Sequence, residues 1–259
     1  RPALYLLGQI LRSLGRNEEA RITIDAGTGE ARQPMPDLWA EAAPEQIRLL
    51  PGVFQQAEAL SATGRPESAV VLLERALPFH PGHPGLLNQL GVALNRCGRP
   101  RRTLDLLDPV ILADPKAVAP RITRSHARAQ LGDLEGALSD AREAVHLAPR
   151  LAQSHLALAN THLAAEQDAE ALLALDEASR CDPANAEILV ESANIRWRNL
   201  HEPGPALESL RKALEIHPAQ IPALRLRAEI QTSIGDASGA ERTTGVLRWL
   251  ASRTGNRTP

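Results

Sequence analysis

The chain has 259 residues and a formal net charge of −2, with acidic and basic residues interleaved along its length. Such a balance forms no extended basic surface, which argues against partners such as nucleic acid or an anionic membrane. Aromatic residues make up only 2% of the chain, so a core must be built from Leu, Ala, Val and Ile. No apolar run approaches the roughly 18–20 residues that span a bilayer, and we predict no membrane insertion.

Three series of residues recur along the chain at intervals of 34, with one shared interval of 35. The first series is Gly64, Gly98, Gly132, Glu166, Leu200 and Gly235. The second is Pro81, Pro115, Pro149, Pro183 and Pro218. The third is Ala69, Thr103, Ala137, Ala171, Ala206 and Ala240. Agreement between three series indicates an internal repeat with one inserted residue.

Each series has a physical reason in a pair of antiparallel helices. The glycine ends the first helix in a left-handed conformation, and prolines such as Pro66 and Pro100 suit the first turn of the next. The small residue lies where the two helices cross and lets their axes approach closely. The proline of the second series ends the second helix, because the residue before it is disfavoured in helical geometry.

Leu90-Gly91 with Leu94, Gly98, Leu107 and Pro115 matches the 34-residue tetratricopeptide pattern, and so does Leu7-Gly8 with Leu11, Gly15 and Ala20. The chain therefore resembles the tetratricopeptide repeat family. The resemblance implies an all-α fold, an α-solenoid forming a right-handed superhelix of about seven antiparallel helix pairs. The aromatic positions of the pattern hold polar residues in four units, which predicts looser packing there: Arg128, His162, Arg196 and Gln231.

The periodicity divides the chain into seven predicted units. They are residues 1–34, 50–83, 84–117, 118–151, 152–185, 186–220 and 221–253. A Pro- and Trp-containing insertion occupies 35–49, where Trp39 is predicted to cover the neighbouring helix pair, and 254–259 form a polar tail. Repeat arrays need polar end caps, and nothing in the sequence covers the outer face of the first unit. We therefore expect further repeats or another domain upstream.

The sequence contains no convergent set of nucleophile, base and oxyanion donors, so we predict no enzymatic activity. His80 and His83 fall on a turn between units, which is a poor setting for a metal site that needs rigid support. Cys97 and Cys181 stand far apart and in no metal-ligand spacing. No Gly-rich phosphate loop occurs either. We predict neither a metal nor a cofactor.

The resemblance places the first helix of each pair along a concave groove. Asn160 and Asn194 are 34 residues apart and are expected to stack, with carboxamides that suit a peptide backbone. Trp197 is the strongest predicted anchor, because aromatic residues dominate interface energetics. The predicted peptide-binding residues are Asn88, Asn95, Arg96, His126, Asn160, Asn194, Trp197 and Arg198.

The leading prediction is a protein–protein interaction scaffold that binds a peptide segment or helix of a partner in this groove. The carboxylate clamp of chaperone-binding relatives is not expected, because Leu156 and Glu191 stand at clamp positions. One alternative is a recognition arm of a longer multidomain chain, exported or not, that carries an enzyme or a haem-containing domain. The other is a scaffold that associates with copies of itself.

Overall fold

The computed structural model describes residues 2–28 and 49–254. Within them the fold consists of fourteen α-helices and a 3-10 turn at Leu77–Phe79, with no strand. The helices are α1 Pro2–Ser13, α2 Asn17–Thr28, α3 Leu50–Ala62, α4 Pro66–Ala76, α5 Pro84–Arg96, α6 Pro100–Ala113, α7 Val118–Gln130, α8 Leu134–Leu147, α9 Ala152–Ala164, α10 Asp168–Cys181, α11 Ala186–Arg198, α12 Pro203–Ile216, α13 Ile221–Ser233 and α14 Ala237–Thr254. The predicted all-α class of helix pairs is confirmed. Trp39 lies outside the described residues.

The ends of the helices follow from local chemistry. Gly98 and Gly132 adopt φ values of 68° and 81°, the left-handed conformation that ends a helix. Glu166 occupies the same place in the next repeat and adopts φ 57° without being a glycine. Because a side chain is strained in this region, the turn geometry is imposed at Glu166 by the helices on either side.

The recurring small residue lies at the helix crossing, as its spacing predicts. Ala69, Ala137, Ala171 and Ala206 have no exposed surface. Thr103 is equally buried, and its hydroxyl donates a hydrogen bond to the Gly91 carbonyl at 3.2 Å. The hydroxyl group of Thr103, which the alanines of the other repeats lack, therefore has a hydrogen-bond partner on the facing helix.

Three of the four polar residues at the aromatic positions are held by partners, whereas Nε of Arg196 is buried without a hydrogen-bond partner among the described residues. The expectation of looser packing stays a prediction. His162 is 8% exposed, and its Nδ1 lies 2.7 Å from Oε1 of Gln167. Gln231 accepts a hydrogen bond from the Thr243 hydroxyl at 2.8 Å. Arg128 places Nη1 3.0 Å from a carboxylate oxygen of Asp140. Hydrogen bonds between helices here take the place of ring packing.

The helices form two compact units, Arg1–Ala148 and Pro149–Pro259, a division that the regular period did not predict. In the first unit, Val53, Leu73, Leu90 and their neighbours form a core between α3, α4 and α5. In the second, one core joins α9, α10 and α11, and another joins α11, α12 and α13. Each unit therefore has its own apolar interior.

The first helix pair has a neighbour that the order of the repeats did not predict. Helix α1 packs against α2 and against α6, the second helix of the third repeat. Ile10 and Leu11 are buried there in one cluster with Leu107 and Val110. The apolar side of α6 is therefore covered by a helix pair distant in sequence.

Candidate protein-binding surface

Some first helices of neighbouring pairs contact one another inside each compact unit. Helix α5 packs against α3 and α7 in the first unit, and α11 packs against α13 in the second. These contacts build a layer of first helices in each unit. The predicted binding residues lie on α5 and α7 in the first unit, and on α9 and α11 in the second. The eight residues are therefore divided between two units.

In the first unit, Asn88, Asn95, Thr123 and His126 form a polar set that we call the α5–α7 patch. The Thr123 hydroxyl donates to Oδ1 of Asn88 at 2.8 Å, and Nδ2 of Asn95 donates to the Thr123 carbonyl at 2.9 Å. Asn95 is only 8% exposed, so it joins two helices and offers little surface to a partner. Its role in peptide binding stays a prediction, although its amide group is already hydrogen-bonded inside the chain.

Two polar atoms of the α5–α7 patch are buried without a hydrogen-bond partner in the described part of the chain. They are Oδ1 of Asn95 and Nε2 of His126. Burial also lowers the pKa of His126, which favours its neutral form. Unpaired buried polar atoms are costly to the stability of a fold. Arg96 lies at the end of α5 with an exposed side chain.

In the second unit, Asn194, Trp197, Arg198 and Glu229 form a connected cluster that we call the α11–α13 patch. The indole N–H of Trp197 donates to Oε1 of Glu229 at 3.2 Å. Arg198 donates from Nη2 to Oε2 of Glu229 at 3.1 Å, and from Nε to Oδ1 of Asn194 at 3.3 Å. Trp197 also packs against the apolar core of α11, α12 and α13. Trp197 and Arg198 thus share one carboxylate, and Asn194 joins them through Arg198.

Glu229 was not among the predicted binding residues, although it is the residue that joins α13 to the patch. The sequence did contain a signal for it: Glu229 follows Asn194 by 35 residues, which is one repeat plus the inserted residue, so both occupy the same repeat position. Asn160 lies on α9 with an exposed side chain. Because Asn194 accepts from Arg198, the two asparagines have different surroundings. Their stacking stays a prediction.

Glu191 lies one turn before Asn194 on α11 and is partly buried. Burial raises the pKa of its carboxyl group, and the nearby charge of Glu187 raises it further. No ion pair to Glu191 is found among the described residues. Glu187 also lines an open cavity of about 630 Å³ together with Asp182, His217 and Gln220. This side of α11 is therefore acidic.

The two turn histidines have a structural role that the sequence did not reveal. Nδ1 of His83 accepts a hydrogen bond from the Leu86 N–H at 3.2 Å, which caps the first turn of α5. The His80 and His83 rings lie 6.5 Å apart, edge to face. Within the described residues, no group of three or more acidic, His or Cys side chains could hold a metal ion. In the same residues no helix is long and apolar enough to cross a membrane.

Antiparallel helix pairs with buried small residues at their crossings define the class of α-solenoid repeat proteins. The tetratricopeptide repeat model matches residues 2–33. No curated protein matches the chain. Together with the solved structures described below, these features show a tetratricopeptide-like α-solenoid fold, and residues 2–33 match the tetratricopeptide repeat itself. Proteins built from tetratricopeptide repeats are typically non-enzymatic scaffolds.

Three solved structures illustrate the similarity. TTC0263, a tetratricopeptide repeat protein of Thermus thermophilus, is 25% identical, and the match covers 70% of this chain and 97% of that chain with a TM-score of 0.62. PilF of Pseudomonas aeruginosa is 17% identical over 80% of this chain and 92% of that chain, with a TM-score of 0.57. MamA is 17% identical over 64% and 97%, with a TM-score of 0.56. At this identity the last two show the fold alone.

Proposed function

We propose that this chain is a non-catalytic interaction scaffold that binds a peptide segment or helix of another protein on its layer of first helices. The observation that carries the proposal is the α11–α13 patch. Its indole and guanidinium groups are held in place before a partner arrives, since both are bound to Glu229. Groups that are fixed in advance lose less entropy on binding.

The chemistry of the patch suits a polypeptide. Trp and Arg are the residue types most enriched at the energetic centres of protein interfaces. Trp197 provides apolar surface, and the amide of Asn194 can pair with a peptide backbone.

The acidic side of α11 favours a partner segment that carries a basic side chain. Glu191 has no charged partner in the described residues, and an Arg or Lys of the ligand would supply one. Glu187 lies one helical turn before it and adds a second negative charge. We therefore propose that the preferred segment places a basic residue about 9 Å from the group that contacts Trp197, since Glu191 and Trp197 are separated by six helical residues.

The test is selection of binding peptides from a random library displayed on phage, followed by fluorescence anisotropy with the selected peptides. Trp197→Ala is expected to weaken binding by about tenfold to a hundredfold, the range of a moderate interface hot spot. Trp249→Ala is the matched control, because Trp249 is 55% exposed on α14, a second helix. Glu191→Gln should reduce the preference for basic residues without abolishing binding.

The proposal fails if folded Trp197→Ala protein binds the peptides as well as the unchanged protein. It also fails if Trp249→Ala weakens binding as much as Trp197→Ala does. Peptides that show no enrichment of Arg or Lys would overturn the basic-residue part alone. Circular dichroism of each variant establishes that the helical fold is retained.

A further inference from the structure

The last helix pair, α13 and α14, carries two arginines that lack a carboxylate partner among the described residues. Arg227 on α13 is partly buried, and its Nε donates a hydrogen bond to the Thr243 hydroxyl at 3.1 Å. Arg242 on α14 is exposed and donates to the Ser238 hydroxyl. Burial lowers the pKa of Arg227, and the positive charge of Arg242 lowers it further. The two guanidinium groups therefore repel each other without a carboxylate to compensate them.

The helix pair three repeats earlier shows which partners are missing. Arg227 follows Arg124 by 103 residues, which is three repeats plus the inserted residue. Arg124 forms ion pairs with Asp140 at 2.6 Å and with Asp108 at 2.8 Å. Thr243 follows Asp140 at the same interval of 103 residues. A hydroxyl group therefore replaces the buried carboxylate that binds the arginine of the earlier pair.

The second carboxylate of the earlier pair is missing as well. Arg211 on α12 follows Asp108 by the same 103 residues, so a positive charge replaces a negative one. The guanidinium group of Arg211 is bound to Glu208 and Glu215 on its own helix, so those carboxylates are already paired. A partly buried guanidinium group without a counter-charge, such as that of Arg227, favours an anion that a partner supplies.

Helix α14 presents apolar side chains on the side that carries Arg242. Val246 is 40% exposed and Trp249 is 55% exposed. Arg242 precedes Val246 by four residues and Arg253 follows Trp249 by four, so these four residues share one side of the helix. The guanidinium carbon of Arg253 lies 4.8 Å from the centre of the Trp249 ring. Together with Arg227 they form a surface that we call the α14 face, on which exposed apolar side chains lie among positive charges.

We propose that the α14 face is a docking surface for an acidic amphipathic segment of another protein. An Asp or Glu of the segment pairs with Arg227 and Arg242, and takes the role that Asp140 has in the earlier helix pair. An apolar side chain of the segment packs on Val246 and Trp249. Charge complementarity selects this partner, because every charged residue of the face is an arginine. The proposal does not depend on the proposed function, which concerns basic segments at the α11–α13 patch.

An anionic membrane fits the α14 face less well than an acidic segment does. Arg227 is partly buried beside α14, where a single acidic side chain can reach it but a flat layer of headgroups contacts mainly the exposed residues. The chain also has a net charge of −2, which disfavours approach to a negative surface. We therefore expect no binding to vesicles of phosphatidylcholine and phosphatidylserine.

The test is selection from a displayed library of peptides rich in Asp, Glu and Leu, followed by fluorescence anisotropy of the selected peptides with the full chain. Arg242→Gln and Trp249→Ala are each expected to weaken binding by about tenfold. Arg248→Gln is the matched control, because it removes the same charge from an exposed position of α14 about 120° around the helix from Arg242. Arg227→Gln should weaken binding as well, and Arg242→Gln keeps the test decisive if that variant does not fold.

Two further measurements separate this surface from the α11–α13 patch. Trp197→Ala should leave the binding of acidic peptides unchanged, whereas it weakens the binding of basic ones. Higher salt should weaken the acidic peptides, because their contacts with arginine are screened. Failure of the proposed function would therefore leave this result intact, and the reverse also holds.

Four results would each overturn the proposal. The first is a selection that yields no acidic peptide with measurable binding. The second is binding that survives both Arg242→Gln and Trp249→Ala in folded protein, or that Arg248→Gln weakens as much as Arg242→Gln does. The third is loss of acidic-peptide binding in Trp197→Ala. The fourth is binding to the phosphatidylserine vesicles that Trp249→Ala abolishes, which would assign the face to a membrane.

Discussion

Arg124 on α7 forms a two-pronged ion pair with Asp140 on α8. Its Nε lies 2.8 Å from Oδ2 and its Nη2 lies 2.6 Å from Oδ1 of the carboxylate. Asp140 is 2% exposed and also receives Arg121 and Arg128 from the same helix. Burial lowers the pKa of Arg124, but its hydrogen bonds to Asp140 and Asp108 outweigh this effect and raise it. One buried carboxylate thus organises three guanidinium groups.

Replacing Asp140 by Ala is expected to destabilise the fold strongly. The change leaves the Arg124 side chain, which is 12% exposed, without its main partner. Removing one member of a buried ion pair typically costs about 3–5 kcal/mol. Urea unfolding followed by circular dichroism measures the loss. Asp105→Ala on α6, an exposed position, is the control and should change the free energy of unfolding by less than about 0.5 kcal/mol.

The cap at His83 makes stability depend on pH. Burial lowers the pKa of His83, and the nearby His80 lowers it further. Only the neutral ring can accept the hydrogen bond from Leu86, so folding favours the unprotonated form. The stabilisation is complete above the unfolded pKa of about 6.5 and is lost as pH falls through the window down to the folded value. Unfolding free energy should therefore fall as pH drops below about 6.5.

His83→Asn tests the source of this pH dependence. Asn is a good helix cap that does not titrate, so the variant should lose part of the decrease while it keeps its stability at the higher pH. His126→Gln serves for comparison, because burial lowers the pKa of His126 in the same direction without a cap. An unchanged pH profile in His83→Asn would show that the cap is not titrating.

Glu191 is expected to reduce stability near neutral pH in the absence of a partner. Its raised pKa means that the folded chain favours the protonated carboxyl group. The associated stability is present below the unfolded pKa and is lost as pH rises through the folded value. Glu191→Gln should therefore raise the thermal unfolding midpoint at neutral pH and leave it nearly unchanged in acid. Glu58→Gln, at an exposed site on α3, is the control, and an equal gain in both variants would contradict the explanation.

Much of the candidate surface was accessible from the sequence, because the repeat places known positions on the first helices. Asn194, Trp197 and Arg198 do come together, as residues on one helix face must. Asn95 and Glu229 show the limit of this reasoning. The 34-residue repeat period indicates which way a side chain points. The hydrogen bonds that the side chain forms depend on the helix beside it: Asn95 bonds to Thr123 on α7, and Trp197 bonds to Glu229 on α13.

By itself, the sequence determined the helix pairs, their register and the small residues at the crossings. These features follow from local chemistry: helix-ending glycines, first-turn prolines and the volume available between two crossing helices. Only the tertiary structure decided that the first pair covers α6, that the chain packs as two units and that Asp140 gathers three arginines. Those outcomes depend on contacts between residues far apart in the chain, whose partners no local pattern specifies.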